Sequence, residues 1–311
     1  MPFRKQNNFA RSKKNRIFAG YKKQAMRIPS NRISDIERFT YSELDGLYPK
    51  GEIRCFLGMI FEEFLGWDRV TWLTSKNKTV NQSDLLKINF AIKDLKNCRP
   101  IQYVLGKTLF CGITLSVDEN VLIPRPETEE IVNRAVGLCV SPQDILDLCT
   151  GSGCLAIALA KAFPKSSVTA VDISEKSLSV ARKNAADNGA DICFRTMDIS
   201  SKCVFDGKFG LIVSNPPYVR NSEKSSMHAN VLDYEPPEAL FVDDADPLCF
   251  YRYILDIARD YLTPDGLLIV EINEALGTET ESLFRENGFE TSLLKDFNEK
   301  DRFVLCHNKN R

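Results

Sequence analysis

Between residues 144 and 306 short apolar β-type runs alternate with amphipathic helical stretches, and no other feature of the chain restricts its fold as strongly. The pattern reads as a strand over 144–149, a helix over 154–163 and a strand over 167–172, after which Ser174 caps a long helix running towards Asn188. A buried strand follows at 209–214, a helix near 248–262 and a strand at 266–272; after a further helix, strands near 289–295 and 302–306 end the series. Repetition of this kind builds an α/β fold: a doubly wound, Rossmann-like sheet with helices on both faces and ligands at the carboxyl ends of its strands.

The region before the alternation is different. Residues 35–98 read as helical, with Ile53, Phe56, Leu57, Ile60, Phe61, Phe64 and Leu65 at the spacing of one amphipathic face. A second helix is expected from Ser83 or Asp84, its apolar side carried by Leu85, Leu86, Ile88 and Leu95. Residues 33–98 are therefore expected to form an N-terminal helical bundle, serving as a docking module or a structural cap. Two β-type runs follow, at 102–106 and 110–115, and suggest a β-hairpin linker over 99–123. Pro124 and Pro126 close that joint, and residues 124–311 form the larger domain, opening on a helix with acids in its first turn.

Charge narrows the partners. Residues 1–32 hold ten Lys or Arg and no acid, which leaves 31 basic against 42 acidic residues in the remainder. A body so acidic is a poor match for a phosphate backbone, so no direct nucleic-acid partner is expected. The basic head reads as a disordered or non-native extension, with Met26 as a second possible start and an organelle-targeting or ribosome-binding arm as the other readings. No apolar run is long enough to span a bilayer, and no membrane association is expected. Ten cysteines without a C-x-x-C pair, and only His228 and His307, fit neither a metal site nor a disulfide framework. They point to a reducing, cytoplasmic setting.

The first strand of the alternation runs into Cys149-Thr150-Gly151-Ser152-Gly153 and then a helix, a turn whose glycines let backbone approach a ligand. The second strand ends on Asp172, where a carboxylate can accept both ribose hydroxyls of an adenosine. The buried strand at 209–214 delivers Asn215-Pro216-Pro217-Tyr218 to the same edge. The Asn215 oxygen and the Pro216 carbonyl can accept the two hydrogens of an –NH2 group, and the Tyr218 ring can face a planar π-system. An amide nitrogen is a poor nucleophile, and two fixed acceptors would stabilise the positive charge it gains on being methylated.

With these motifs placed, the chain resembles the HemK/PrmC family, the N5-glutamine methyltransferases of peptide-chain release factors. The resemblance runs over about 35–306 and rests on residues 100–103 with Gly106, the stretch Val121-Leu122-Ile123-Pro124-Arg125-Pro126-Glu127-Thr128-Glu129, and Asn215 to Tyr218. Glu235-Pro236, Phe250-Tyr251-Arg252, Lys295-Asp296 and Asp301-Arg302 complete it. It implies a class I methyltransferase fold with seven strands, S-adenosyl-L-methionine as cofactor, and release factors as protein substrates, methylated on the glutamine of a Gly-Gly-Gln loop. Carried over by position, it implies that Cys149 to Gly153 line the methionine end of the cofactor, Asp172 holds the ribose and Ile199 flanks the adenine. Asn215 then borders both cofactor and substrate, and Pro216, Pro217 and Tyr218 complete the substrate clamp. Cys149 departs from the glycine common at its position, and altered packing is the expected consequence. The alternatives are an adenine-N6 nucleic-acid methyltransferase, which shares Asn-Pro-Pro-Tyr, an inactive cofactor-binding subunit, and a nicotinamide dehydrogenase, for which no catalytic His is apparent.

Overall fold

The computed structural model describes residues 28–138 and 142–308. Nearly all of the basic head, and with it the reading of that head as disordered, lies outside these residues. The chain divides into two compact units, Met1–Asn97 and Cys98–Arg311.

The described part of the first unit is helical: α1 (Ile33–Leu44), α2 (Lys50–Leu65), α3 (Arg69–Thr74) and α4 (Gln82–Lys96). The expected face of α2 is buried from Ile53 through Phe61, and Gly66 ends the helix in the left-handed conformation that glycine adopts without steric cost. Helix α4 begins slightly earlier than its sequence suggests, because Asn81 rather than Ser83 caps it by accepting the Asp84 N–H. Its buried face is Ile88, Ala91, Ile92 and Leu95, while Leu86 is 55% exposed. At 100° per residue, Leu86 sits nearly opposite Ile88, so it belongs to the other side.

The second unit opens with a correction. Residues 102–106, expected as a β run, instead fall in one helical turn, α5 (Ile101–Leu105), and the Gly106 that stops it at φ +71. Pro100 before the turn and a left-handed glycine after it favour a turn of helix over a strand. The hairpin itself is β1 (Lys107–Phe110) with β2 (Ile113–Ser116), joined by Cys111 and Gly112, both at positive φ. Helix α6 (Pro126–Leu138) follows.

The sheet has seven strands: β3 (Asp144–Leu148), β4 (Ser167–Asp172), β5 (Cys193–Thr196), β6 (Phe209–Ser214), β9 (Leu262–Glu271), β10 (Phe289–Lys295) and β11 (Asp301–Asn308). Two short strands, β7 (Val219–Arg220) and β8 (Phe241–Val242), pair with each other outside it. The order is β10-β11-β9-β6-β3-β4-β5, with β10, β11 and β9 meeting antiparallel and the other neighbours parallel. Strand β5 escaped the sequence reading because it is a four-residue edge strand with no buried residue and so no apolar run.

Alternate residues enter opposite cores. Ile145, Leu211, Val213, Leu267 and Ile269 pack with α6 and α7 (Cys154–Ala162) on one face. Leu146, Leu148, Ile212, Leu268 and Val270 pack with α10 (Cys249–Tyr261) on the other. Helices α8 (Glu175–Asn188), α9 (Ala229–Tyr234) and α11 (Gly277–Glu286) complete the unit. Ser174 caps α8 as its sequence indicates. Chain connections leave β3 towards β4 on one side and enter β6 on the other, so the carboxyl end of β3 is the switch point where ligands bind in such sheets.

Candidate active site

The turn after β3 takes three left-handed residues, Cys149 at φ +60, Gly151 at +54 and Gly153 at +80. A buried carboxylate shapes it. Asp147 accepts the Thr150 hydroxyl at 2.5 Å and the Ala156 N–H at 3.2 Å, and burial pushes its carboxyl up to about 7. Gly153 serves packing: a Cβ there would lie 3.1 Å from the Ala181 Cβ of α8. A Cβ at Gly151 would meet no protein atom, so its positive φ is the requirement there.

The Asp172 carboxylate ends β4 and locks onto the same turn, accepting the Gly151 N–H through Oδ2 and the Ser174 N–H through Oδ1, each at 2.9 Å. Each oxygen keeps a lone pair for a further donor. Burial raises the Asp172 carboxyl above its ordinary value, against the pull of these backbone bonds.

A cavity of about 430 Å³ opens here, within the size range of small-molecule sites. Of the residues expected from sequence, Cys149, Thr150, Gly151, Ser152, Asp172, Ile199, Asn215 and Pro217 line it, while Gly153, Pro216 and Tyr218 do not. Its lining includes the carboxylates Asp172, Asp198 and Glu238 and no lysine or arginine. Such a surface suits a cationic ligand and disfavours the pyrophosphate of a dinucleotide. Ile173, 63% exposed beside Asp172, offers a further apolar face to the cavity.

The walls are held by side chains distant in sequence. Glu235, buried, accepts the Arg125 guanidinium at 2.6 Å and the Ile123 N–H at 3.2 Å, tying the Pro124 wall to the Pro236 wall. Asn184 of α8 bonds the backbone of Ser116 in the hairpin and the Ser152 carbonyl in the glycine turn.

Asn215 follows β6, and its Nδ2 donates to the Thr128 hydroxyl at 3.1 Å. Thr128 donates to Glu271 Oε2 at 2.7 Å, and the Tyr218 hydroxyl donates to Glu271 Oε1 at 2.9 Å. Glu271 is 1% exposed, and burial raises its carboxyl despite these donors and the Arg302 charge. Asn273 then anchors the exit of the Asn-Pro-Pro-Tyr loop by donating to the Tyr218 carbonyl at 3.1 Å. Sequence reading gave no role to Asp147, Glu271 or Asn273, and it met Thr128 and Glu235 only within motifs. Glu271 and Asn273 did leave a trace, as polar residues closing the apolar run Leu267-Leu268-Ile269-Val270 at the ligand edge of the sheet.

The φ of Cys149 lies in the left-handed region, where glycine is less strained than cysteine. Cys149→Gly should change stability by no more than about 1 kcal/mol, because relief of left-handed strain offsets the freedom that glycine adds to the unfolded chain. Cys149→Val should destabilise by more, since β-branched residues tolerate positive φ least. Urea unfolding of the three proteins will show whether that order holds.

A family profile described as "Methyltransferase small domain" matches residues 138–241. Over 84% of this chain and 94% of its own length, the release factor glutamine methyltransferase of Flavobacterium psychrophilum is 44% identical. The protein of the same name from Bacteroides thetaiotaomicron is 40% identical over 88% of this chain and 99% of its own length. That of Streptococcus pneumoniae is 41% identical over 67% and 74%. With this much identity over most of both chains, and with the glycine turn, Asp172 and Asn-Pro-Pro-Tyr gathered at one sheet edge, the chain belongs to the release factor glutamine methyltransferase family.

Proposed function

We propose that this protein methylates the side-chain amide nitrogen of a glutamine, the one in the Gly-Gly-Gln motif of peptide-chain release factors, with S-adenosyl-L-methionine as methyl donor. The observation that carries the reading is Asn215. Its nitrogen is committed to Thr128, which leaves its oxygen to accept a hydrogen at the wall of a cavity lined by carboxylates. S-adenosyl-L-methionine, when bound, supplies a methyl group activated on a sulfonium; its cationic, phosphate-free chemistry fits that lining.

Asp172 uses its remaining lone pairs to accept from the ribose hydroxyls, and Ile173 and Ile199 give apolar faces for the adenine. The Asn215 oxygen and the Pro216 carbonyl accept the two hydrogens of the glutamine amide. They orient its nitrogen and become more favourable as that nitrogen turns cationic. The extra proton leaves to water afterwards, so no strong base is required. Tyr218 acts as the planar wall of the clamp, its ring held by the bond from its hydroxyl to Glu271. The helical unit at 33–98 is the docking module for the release factor, and the cytoplasm, where translation factors work, is the place of action. Among the described residues no helix is long and apolar enough to cross a membrane.

Mass spectrometry of a release factor incubated with the enzyme and S-adenosyl-L-methionine tests the reading. One added methyl on the Gly-Gly-Gln peptide is the expected result. An unmodified release factor, with methyl appearing on adenine in DNA instead, would overturn it.

A further inference from the structure

Asparagine is ambiguous at the point where the clamp needs certainty. Its side chain offers an acceptor at one end and two donors at the other, and a half-turn about the last bond exchanges them with little change of shape. An amide –NH2 is gripped only if the oxygen faces it. Turned round, Asn215 would present hydrogens to hydrogens.

The surroundings of Asn215 remove the ambiguity. Its neighbour Thr128, in the first turn of α6, carries a single hydroxyl proton, and that proton points to Glu271 Oε2 at 2.7 Å. Glu271 closes β9, directly beside β6 in the sheet, with Val270 paired to Ser214. As a carboxylate it only accepts, and its other oxygen is occupied by the Tyr218 hydroxyl at 2.9 Å. With its proton so committed, Thr128 can only accept from Asn215, and only the nitrogen end of Asn215 can donate. Thr128 and Glu271 are both buried, which keeps water from supplying substitute partners.

We propose that Glu271 and Thr128 are positioning residues: a relay of hydrogen-bond polarity, from carboxylate through hydroxyl to amide, that turns the Asn215 oxygen towards the substrate. The relay rests on the amide-clamp role proposed for Asn215. It explains a buried carboxylate that does not line the cavity, and it assigns the helix opening at Pro126 a part in the chemistry of a loop 87 residues away.

Three substitutions test it in the full-length enzyme with a release factor as substrate. Thr128→Val keeps the shape and removes the hydroxyl, so Asn215 loses its reference and samples both orientations. Turnover should fall by about 10- to 100-fold, the span for a buried polar group left unpaired. S-adenosyl-L-methionine affinity by calorimetry and KM for the release factor should move little, whereas the melting temperature should fall, because buried Glu271 loses a donor. Thr128→Ser should restore most of the turnover, because it returns the hydroxyl. Glu271→Gln should fall like Thr128→Val, since a neutral amide can turn its own nitrogen to Thr128 and reverse the relay. Parental turnover in Thr128→Val, an equal loss in Thr128→Ser, or a loss matched by an equal fall in cofactor affinity would each overturn the relay. If Asn215→Ala itself keeps its turnover, the clamp fails rather than the relay alone.

Discussion

Asn215→Ala should lower methyl transfer to a release factor by about 10²–10³-fold, or roughly 2.7–4 kcal/mol, by analogy with removing one preorganised donor from an oxyanion hole. The loss should fall on the chemical step, because the interaction strengthens as the amide nitrogen becomes cationic. Cofactor affinity should drop far less, although Asn215 borders the same cavity as Asp172. The variant also removes the donor that the Thr128 hydroxyl accepts, a local cost common to ground state and transition state that should appear in stability rather than in rate. Tyr218→Phe keeps the ring but takes one donor from Glu271 Oε1. Its effect should therefore exceed that of a hydroxyl lost to solvent while staying below that of Asn215→Ala. Single-turnover methylation at saturating cofactor separates these cases, and near-normal turnover in Asn215→Ala would refute the clamp.

Asp172→Ala should weaken S-adenosyl-L-methionine binding by roughly 2–4 kcal/mol, the range for losing charge-assisted hydrogen bonds. Two causes add. The ribose loses its acceptor, and the glycine turn loses the carboxylate that fixes the Gly151 N–H. The second cause predicts looser local structure, which amide hydrogen exchange at residues 150–153 would detect. Acidity gives an independent check. Burial lifts the Asp172 carboxyl above its ordinary value, and protonation removes an acceptor the ribose needs. Affinity should thus decline on acidification, starting at a higher pH than an exposed aspartate would show. An unchanged dissociation constant in folded Asp172→Ala would remove this residue from the site.

Much of the site is legible in sequence because it sits where strands end. Gly151, Asp172 and Asn215 each follow an apolar run, and a doubly wound sheet brings such ends to one edge. Their chemistry could be read once the alternation was seen. Gly153 could be flagged as necessary, but its role could not, since it depends on Ala181 of another helix coming within 3.1 Å. Local composition also misled at 102–106, where one turn of helix between Pro100 and Gly106 looked like a strand, and it hid β5, an edge strand without an apolar run.

The polarity of the site lies beyond any local pattern. Asn215 meets a hydroxyl 87 residues earlier in the chain, and that hydroxyl meets a carboxylate 143 residues later. The sequence by itself determined which chemical groups reach the edge of the sheet, through apolar periodicity and the backbone demands of glycine and proline. The tertiary structure decided which of them touch and which way each one points. Strand neighbours are chosen by packing of the whole sheet, and hydrogen bonds form between groups that packing brings close, whatever their separation along the chain.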